Sequence, residues 1–164
     1  MTVTPLEAVD NYDDTLVKKA KLRALNLLNT MGRTEAQLRQ KLKQSNYPDE
    51  IIEIAMDYVK SFGYVNDFEY ARSFIQNRKE KKSQKELYML LSQKGIKNDI
   101  LDMVFEEYYD SDSSKEAISA LLRKKKYNSD TATREETQKM YAFLTRKGFA
   151  YDDIRRVLTG YDFS

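Results

Sequence analysis

The 164-residue chain contains no cysteine and no histidine. Without cysteine it cannot form a disulfide framework, and nothing in it points to an oxidising compartment. Without either residue it lacks the Cys–His and Ser–His pairs of nucleophilic catalysis and the usual zinc ligands. Catalysis would have to rest on carboxylates, lysine or tyrosine, and no convergent set of these is visible. We therefore predict a protein that is not an enzyme and that uses no metal or other cofactor.

Glycine, proline and long apolar runs are also scarce. The 5 glycines form neither a GxGxxG nor a GxxxxGK phosphate loop, and neither of the 2 prolines interrupts a helical pattern. No apolar run approaches the length that crosses a membrane. The N-terminal segment also lacks the basic and apolar regions of a secretory signal. These absences predict a cytoplasmic protein that has no membrane contact.

The main positive feature is a repeat of about 49 residues. The pattern of apolar and acidic positions in the first copy recurs 49 residues later, and again after a further 53 residues. The matched positions are Leu38, Leu42, Tyr47, Glu50 and Ile52; Leu87, Leu91, Ile96, Asp99 and Leu101; and Met140, Leu144, Phe149, Asp152 and Ile154. A helical unit of this size cannot bury its apolar face alone, so we expect the copies to stack as an extended array.

Helix-start sequences follow the same repeat. Thr34 with Gln37, Ser83 with Glu86, and Thr133 with Glu136 have the spacing of a capping box. The segment 113–116 predicts another helix start of this kind. The third copy has three more residues between its cap and its first core position, so we expect its middle helix to be longer.

Apolar residues spaced at i, i+3, i+4 and i+7 predict an all-α fold made of three tandem three-helix repeats. The predicted helices are 15–30, 34–45, 49–62, 66–80, 83–94, 98–109, 113–126, 131–147 and 151–160. We assign residues 1–14 to an N-terminal tail and residues 15–62, 63–110 and 111–164 to the three repeats.

Basic residues cluster where the first helix of a repeat meets the second. Equivalent positions in stacked repeats lie along one side, so these cations would form a stripe suited to phosphates or to an acidic protein groove. Alternatively, they offset the dipoles of helix C-termini. The candidates are Arg33, Arg78, Lys79, Lys81, Lys82, Lys85, Arg123, Lys124, Lys125 and Lys126, with a second group of Arg146, Lys147, Arg155 and Arg156.

Aromatic residues, which could stack on exposed bases, recur mostly at helical spacing. We therefore assign the pairs Tyr58 and Phe62, Phe105 and Tyr109, and Tyr141 and Phe143 to the core, and Tyr64 and Phe68 to packing between repeats. Gly95 and Gly148 follow lysines at predicted helix ends, which favours the left-handed position that ends a helix. The acidic segment 106–112 lacks the spacing of a calcium loop.

Three segments, in order, resemble the RecX family. Residues 63–71, Gly-Tyr-Val-Asn-Asp-Phe-Glu-Tyr-Ala, are similar to a Gly-Tyr-Leu-Asp-Asp-x-x-Phe-Ala segment of that family. Residues 31–38 and 91–96 are similar to its Arg-x-Ser-x-x-Glu-Leu and Leu-x-x-Lys-Gly-Ile elements. Departures are Asn66 and Tyr70, where an acid and Phe are usual, and the segment 45–47 in place of a Lys-Gly-apolar turn.

The resemblance implies an elongated, curved, monomeric regulator of the recombinase RecA. Such a protein would lie in the groove of the RecA–single-stranded-DNA filament and modulate, usually inhibit, ATP hydrolysis and strand exchange. The basic residues could also contact single- or double-stranded DNA. Two alternatives remain open at the level of sequence: an autonomous nucleic-acid-binding protein, which the net charge of +2 disfavours, and a helical adaptor for another protein.

Overall fold

The computed structural model of the protein describes residues 14–160 and contains only helices and turns over this range. Its helices are α1 Asp14–Thr30, α2 Glu35–Gln44, α3 Asp49–Ser61, α4 Asp67–Arg78, α5 Gln84–Gln93, α6 Asn98–Tyr108, α7 Ser111–Lys124, α8 Arg134–Arg146 and α9 Tyr151–Leu158. The predicted all-α helical repeat fold is confirmed. The predicted tail, residues 1–14, lies outside the described residues except for Asp14, which is the first residue of α1.

The middle helices differ in length as the sequence predicts. Helices α2 and α5 have 10 residues each, whereas α8 has 13. The additional residues amount to about one turn of helix. They place the cap of α8 farther from its first buried residue, Met140.

Two predicted capping boxes are present and one predicted helix start is wrong. The hydroxyls of Thr34 and Thr133 each accept a hydrogen bond from the backbone N–H three residues later, and the side chain of that later residue accepts the backbone N–H of the cap. Helix α7, by contrast, begins at Ser111 and is capped by Asp110, whose carboxylate accepts the Ser113 N–H at 2.8 Å. The negative carboxylate of Asp110 is stabilised by the positive end of the helix dipole. Ser113 is the reciprocal partner in this capping box.

The chain divides into two compact units. Within the described range the first unit contains residues 14–70 and 94–96, and the second contains residues 71–93 and 97–160. The division falls inside α4, after Tyr70.

The first unit is built around the packing of α1 and α3, with α2 against both. Helix α3 carries apolar residues at helical spacing on one face, and that face is buried. Burial of one such large aliphatic side chain contributes about 1.5–3 kcal/mol. The buried core of the unit is Ala20, Ala24, Leu27, Leu38, Leu42, Ile51, Ile52, Ala55, Met56, Val59 and Val65.

The second unit has a core formed by α7, α8 and α9. Ala117 and Ile118 of α7, Leu144 of α8 and Ile154 of α9 are fully buried there. Phe105 and Tyr109 are also buried in this unit, which confirms their assignment to the interior.

Glycine at two helix ends meets two requirements at once. Gly95 and Gly148 have φ angles of +86° and +98°, which confirms the predicted left-handed position. A Cβ atom on Gly95 would overlap the Cβ of Ala36, and one on Gly148 would lie 2.8 Å from the Ser83 hydroxyl. Each turn therefore needs glycine both for its backbone conformation and for its close approach to a neighbouring helix.

Candidate partner-binding surface

The structure places the predicted cations at helix junctions. Arg78 ends α4, residues 79–82 precede α5, and residues 123–126 span the end of α7 and the turn after it. Lys85 lies in the first turn of α5, and residues 146–147 end α8. All of the predicted cations except Arg33 belong to the second unit.

The turn that carries Lys81 and Lys82 is held by hydrogen bonds from both of its sides. The buried Tyr109 hydroxyl donates a 2.9 Å bond to the Lys82 carbonyl. The Ser83 hydroxyl donates a 2.5 Å bond to the Lys147 carbonyl and accepts the Glu86 N–H at 3.1 Å. Burial raises the pKa of Tyr109, which keeps its hydroxyl protonated as a donor. The backbone of this basic turn is therefore fixed, with the Lys81 side chain exposed and the Lys82 ammonium 3.1 Å from the Glu86 carboxylate.

A cleft of about 580 Å³ beside α8 brings two of the basic groups together. The Lys125 ammonium lies 4.0 Å from the centre of the Phe143 ring, and the Lys147 ammonium lies 5.7 Å from it. Lys125, Lys126 and Arg146 line this cleft. Cations 22 residues apart in sequence thus share one aromatic ring, a convergence that no local pattern shows.

Two further clefts contain candidate cations of the second unit. Lys81 and Arg123 line a cleft of about 650 Å³ that also contains Glu80 and Glu116. A smaller cleft of about 380 Å³ is lined by Lys85, Arg146 and Lys147, among others.

The remaining candidates lie apart from these three clefts or carry local contacts. The Arg78 guanidinium lies 3.9 Å from the centre of the Phe74 ring. Arg155 and Arg156 occupy the last turn of α9. In the first unit, Arg33 donates from Nε to the Leu27 carbonyl at 3.4 Å, which ties it to the end of α1.

The segment that carries the family resemblance caps the starts of two helices, α2 and α4, through contacts that lie within the first unit. Asn66 accepts the Glu69 N–H at 3.1 Å and so caps α4. Asp67 accepts the Glu35 N–H at 2.9 Å and so satisfies the first turn of α2. Burial raises the pKa of Asp67 above its usual value, although the bond from Glu35 acts in the opposite direction. The role of this segment in the fold is therefore to join the starts of two helices.

Two aromatic residues are more exposed than the sequence predicts: Phe62, assigned to the core, and Tyr64, assigned to packing between repeats. Phe62 is 57% exposed and Tyr64 is 56% exposed. Phe62 is the residue that caps the C-terminus of α3, after its last buried residue, Val59, so helical spacing alone overestimates its burial. Tyr58, one turn earlier, is half-buried and packs against the core as predicted.

Residues 14–160 contain no group of three or more acidic, histidine or cysteine side chains arranged to hold a metal ion. In the same range, none of the helices combines the length and the hydropathy needed to cross a membrane.

Sequence comparisons show that the chain is similar to proteins named regulatory protein RecX. Family descriptions of the first and third three-helix domains of RecX match residues 20–58 and 113–158. Regulatory protein RecX of Clostridium botulinum (strain Eklund 17B / Type B) is 32% identical over 158 residues, which cover 93% of this chain and 72% of the relative. Regulatory protein RecX of Caldanaerobacter subterraneus subsp. tengcongensis is 33% identical over 142 residues, which cover 86% and 70%.

Solved structures share the fold. A crystal structure of RecX from Lactobacillus salivarius superposes with a TM-score of 0.75, with 24% identity, over 92% of this chain and 99% of the other. A second crystal structure of a regulatory protein RecX gives a TM-score of 0.71, with 23% identity, over 95% of this chain and 75% of the other.

Proposed function

Because the chain belongs to the RecX family of regulatory proteins, we propose that it modulates RecA by binding rather than by chemistry. In this proposal it acts in the cytoplasm as a monomer, occupies the groove of the RecA–single-stranded-DNA filament, and lowers ATP hydrolysis and strand exchange. The observation that carries the proposal is the concentration of the predicted cations in one compact unit, on turns whose backbones are fixed.

The fixed turns support a binding role because an ordered surface loses less entropy on association. The Lys82–Ser83 backbone is already held by Tyr109 and by the end of α8. The ammonium groups of Lys125 and Lys147 are already gathered on the Phe143 ring. A partner with a negative surface would meet these cations close to their final positions, which favours fast association and correct orientation.

Repetition supports a filament as the partner. A filament presents the same surface at regular intervals, and a chain of linked units contacts several of its subunits at once. Each further contact is then intramolecular, so contacts that are weak singly add to a strong total. A molecule that bridges subunits in this way would disturb the interfaces at which ATP is hydrolysed.

The proposal is tested by reversing four cations of the second unit. We expect the variant Lys81→Glu, Lys82→Glu, Lys124→Glu and Lys125→Glu to lose most of its co-sedimentation with RecA–single-stranded-DNA filaments. Because exposed charges act through a screened field, the loss should be greatest at low salt. Circular dichroism should show unchanged helix content, since all four side chains are partly or fully exposed.

The matched control replaces four exposed lysines of the first unit by glutamate and so reverses their charge: Lys18, Lys19, Lys41 and Lys43. It makes the same change in net charge, so it separates a local effect from a general one. The control should retain filament binding. Equal retention or equal loss in the two variants would remove the second-unit cations from the proposal.

A further inference from the structure

An exposed cluster of aromatic rings ends α3 in the first unit. The Tyr58 and Phe62 rings lie edge to face with centroids 5.1 Å apart. The Phe62 and Tyr64 rings lie nearly parallel, with centroids 5.5 Å apart and planes 19° apart. Phe62 and Tyr64 are both more than half exposed. We call these three residues the aromatic stack.

The turn at Gly63 fixes the geometry of the aromatic stack. The Gly63 N–H donates to the Lys60 carbonyl at 2.9 Å, and the Tyr64 N–H donates to the Val59 carbonyl at 3.0 Å. These two bonds form the Schellman motif that ends a helix, with Gly63 in the left-handed position at φ +72°. No neighbouring atom lies within 4 Å of where a Cβ would stand, so glycine serves the turn itself. The turn reverses the chain and sets Tyr64 against Phe62.

The exposure of these rings is not explained by packing. A large aromatic side chain usually gains stability by leaving water, and adjacent exposed rings are typical of a surface that binds another molecule. Here a hydrogen-bonded turn holds two rings parallel at the surface instead of burying them. A pair of parallel rings is an arrangement that a further planar group can extend.

The charges near the aromatic stack favour a planar group attached to a phosphate. The Lys21 ammonium lies 4.7 Å from the centre of the Tyr58 ring. On α2 and α3, Glu35 contacts Lys60 at 2.6 Å and Glu53 contacts Arg39 at 2.8 Å, so these two carboxylates are paired with other cations, while Asp57 is an exposed carboxylate next to Tyr58 in the sequence. A cation beside the rings repels an incoming guanidinium and attracts a phosphate. This favours a nucleobase over an arginine of a protein partner.

We propose that the aromatic stack receives an unstacked base of single-stranded DNA, with Lys21 beside the adjoining phosphate. Bases stack on aromatic side chains without regard to sequence, because every base has a π face. This inference deepens the function proposed above, since single-stranded DNA is the second component of the filament. It assigns a contact to the first unit, whereas the predicted cations lie mainly in the second.

The test compares two labelled oligonucleotides of equal length and equal phosphate number, one of thymidine and one abasic. Fluorescence anisotropy gives the affinity of each for the wild-type chain and for Phe62→Ala/Tyr64→Ala. The wild type should bind the thymidine strand about tenfold more tightly than the abasic strand. The double variant should lose that preference and bind both strands as the wild type binds the abasic one.

Two controls separate stacking from folding and from charge. Met103→Ala/Tyr151→Ala removes two exposed apolar side chains of the second unit and should keep the preference for bases. Lys21→Gln should keep the preference as well, while lowering the salt dependence of binding by about 0.7 in the log–log slope. The conservative variant Phe62→Tyr/Tyr64→Phe should behave like the wild type.

Equal binding of both strands by the wild type would overturn the inference, as would an unchanged preference in the double variant. Self-association of the wild type that the double variant abolishes would instead assign the stack to a second copy of the chain. The assay contains no RecA, so its failure leaves the filament proposal untouched. Failure of the filament assay likewise leaves the preference for bases measurable.

Discussion

The Thr34 hydroxyl donates a 2.7 Å hydrogen bond to the carbonyl of Lys94, 60 residues farther along the chain. The same hydroxyl accepts the Gln37 N–H and caps α2. Ser83 repeats this arrangement in the second unit, where it donates to Lys147 and accepts from Glu86. In each unit one side chain therefore caps one helix and satisfies a carbonyl at the end of another.

This double role predicts unequal costs for two similar substitutions. Thr34→Ala removes a cap and leaves the Lys94 carbonyl without its hydroxyl donor, so it should destabilise the protein by about 2–4 kcal/mol. Thr133→Ala removes a cap at an exposed position and should cost about 1 kcal/mol. Urea unfolding measures both, and Thr34→Ser should restore most of the loss. Equal costs at the two threonines would contradict the double role.

Glycine substitutions should separate backbone strain from crowding. Gly63→Ala places a side chain in a left-handed position with open space around it, and should cost about 1–2 kcal/mol. Gly95→Ala adds a clash with Ala36 to the same strain, and should cost about 2–5 kcal/mol.

The double variant Gly95→Ala/Ala36→Gly provides the internal check. Because it relieves the clash and leaves the strain, its unfolding free energy should exceed the value expected from adding the two single effects. If the two single effects simply add, the side chain of Ala36 is not what opposes a Cβ atom at position 95.

Lys126 should be replaceable by glycine with a gain in stability. It has a φ angle of +56°, and its N–H donates to the Arg123 carbonyl in the turn that ends α7. Relief of the strained conformation outweighs the greater freedom of glycine in the unfolded chain, so Lys126→Gly should stabilise by about 0.5–1 kcal/mol. Lys126→Ala removes the same charge without relieving the strain, and it should show no gain in thermal unfolding.

Two aspartates should titrate on opposite sides of the ordinary value of about 3.9. Burial raises the pKa of Asp67, so its favourable contribution is present below about pH 3.9 and is lost as pH rises through its folded pKa. The hydrogen bond from the Ser113 N–H lowers the pKa of Asp110, so its contribution is present above about pH 3.9 and is lost as pH falls through its folded pKa. Carboxyl chemical shifts followed by NMR give both midpoints. The reverse order would contradict the assigned contacts.

Helices and caps could be predicted from sequence because both depend on neighbours in the chain. The spacing of Thr34 and Gln37 is sufficient to mark a helix start, and Gly148 after Lys147 is sufficient to mark a helix end. The sequence places the cap of α7 at Ser113, three residues after the observed cap Asp110, because both residues offer a capping side chain and local spacing does not rank one above the other.

The surface could be predicted only in part. Sequence identifies the clusters of cations, but the sharing of Phe143 by Lys125 and Lys147 arises when α7 and α8 pack together. The exposure of Phe62 and Tyr64 was missed for a related reason. Periodicity reports which face of a helix a residue occupies, and it does not report where the packed part of that helix ends.

The most direct test of the account is single-stranded-DNA-dependent ATP hydrolysis by the cognate RecA, with this protein titrated in. Occupancy of the filament groove predicts a fall in rate as the protein approaches stoichiometric amounts. A fall at far lower ratios would indicate capping or disassembly of filament ends instead. An unchanged rate at every ratio, with the protein folded and helical, would contradict the proposal that this chain regulates RecA.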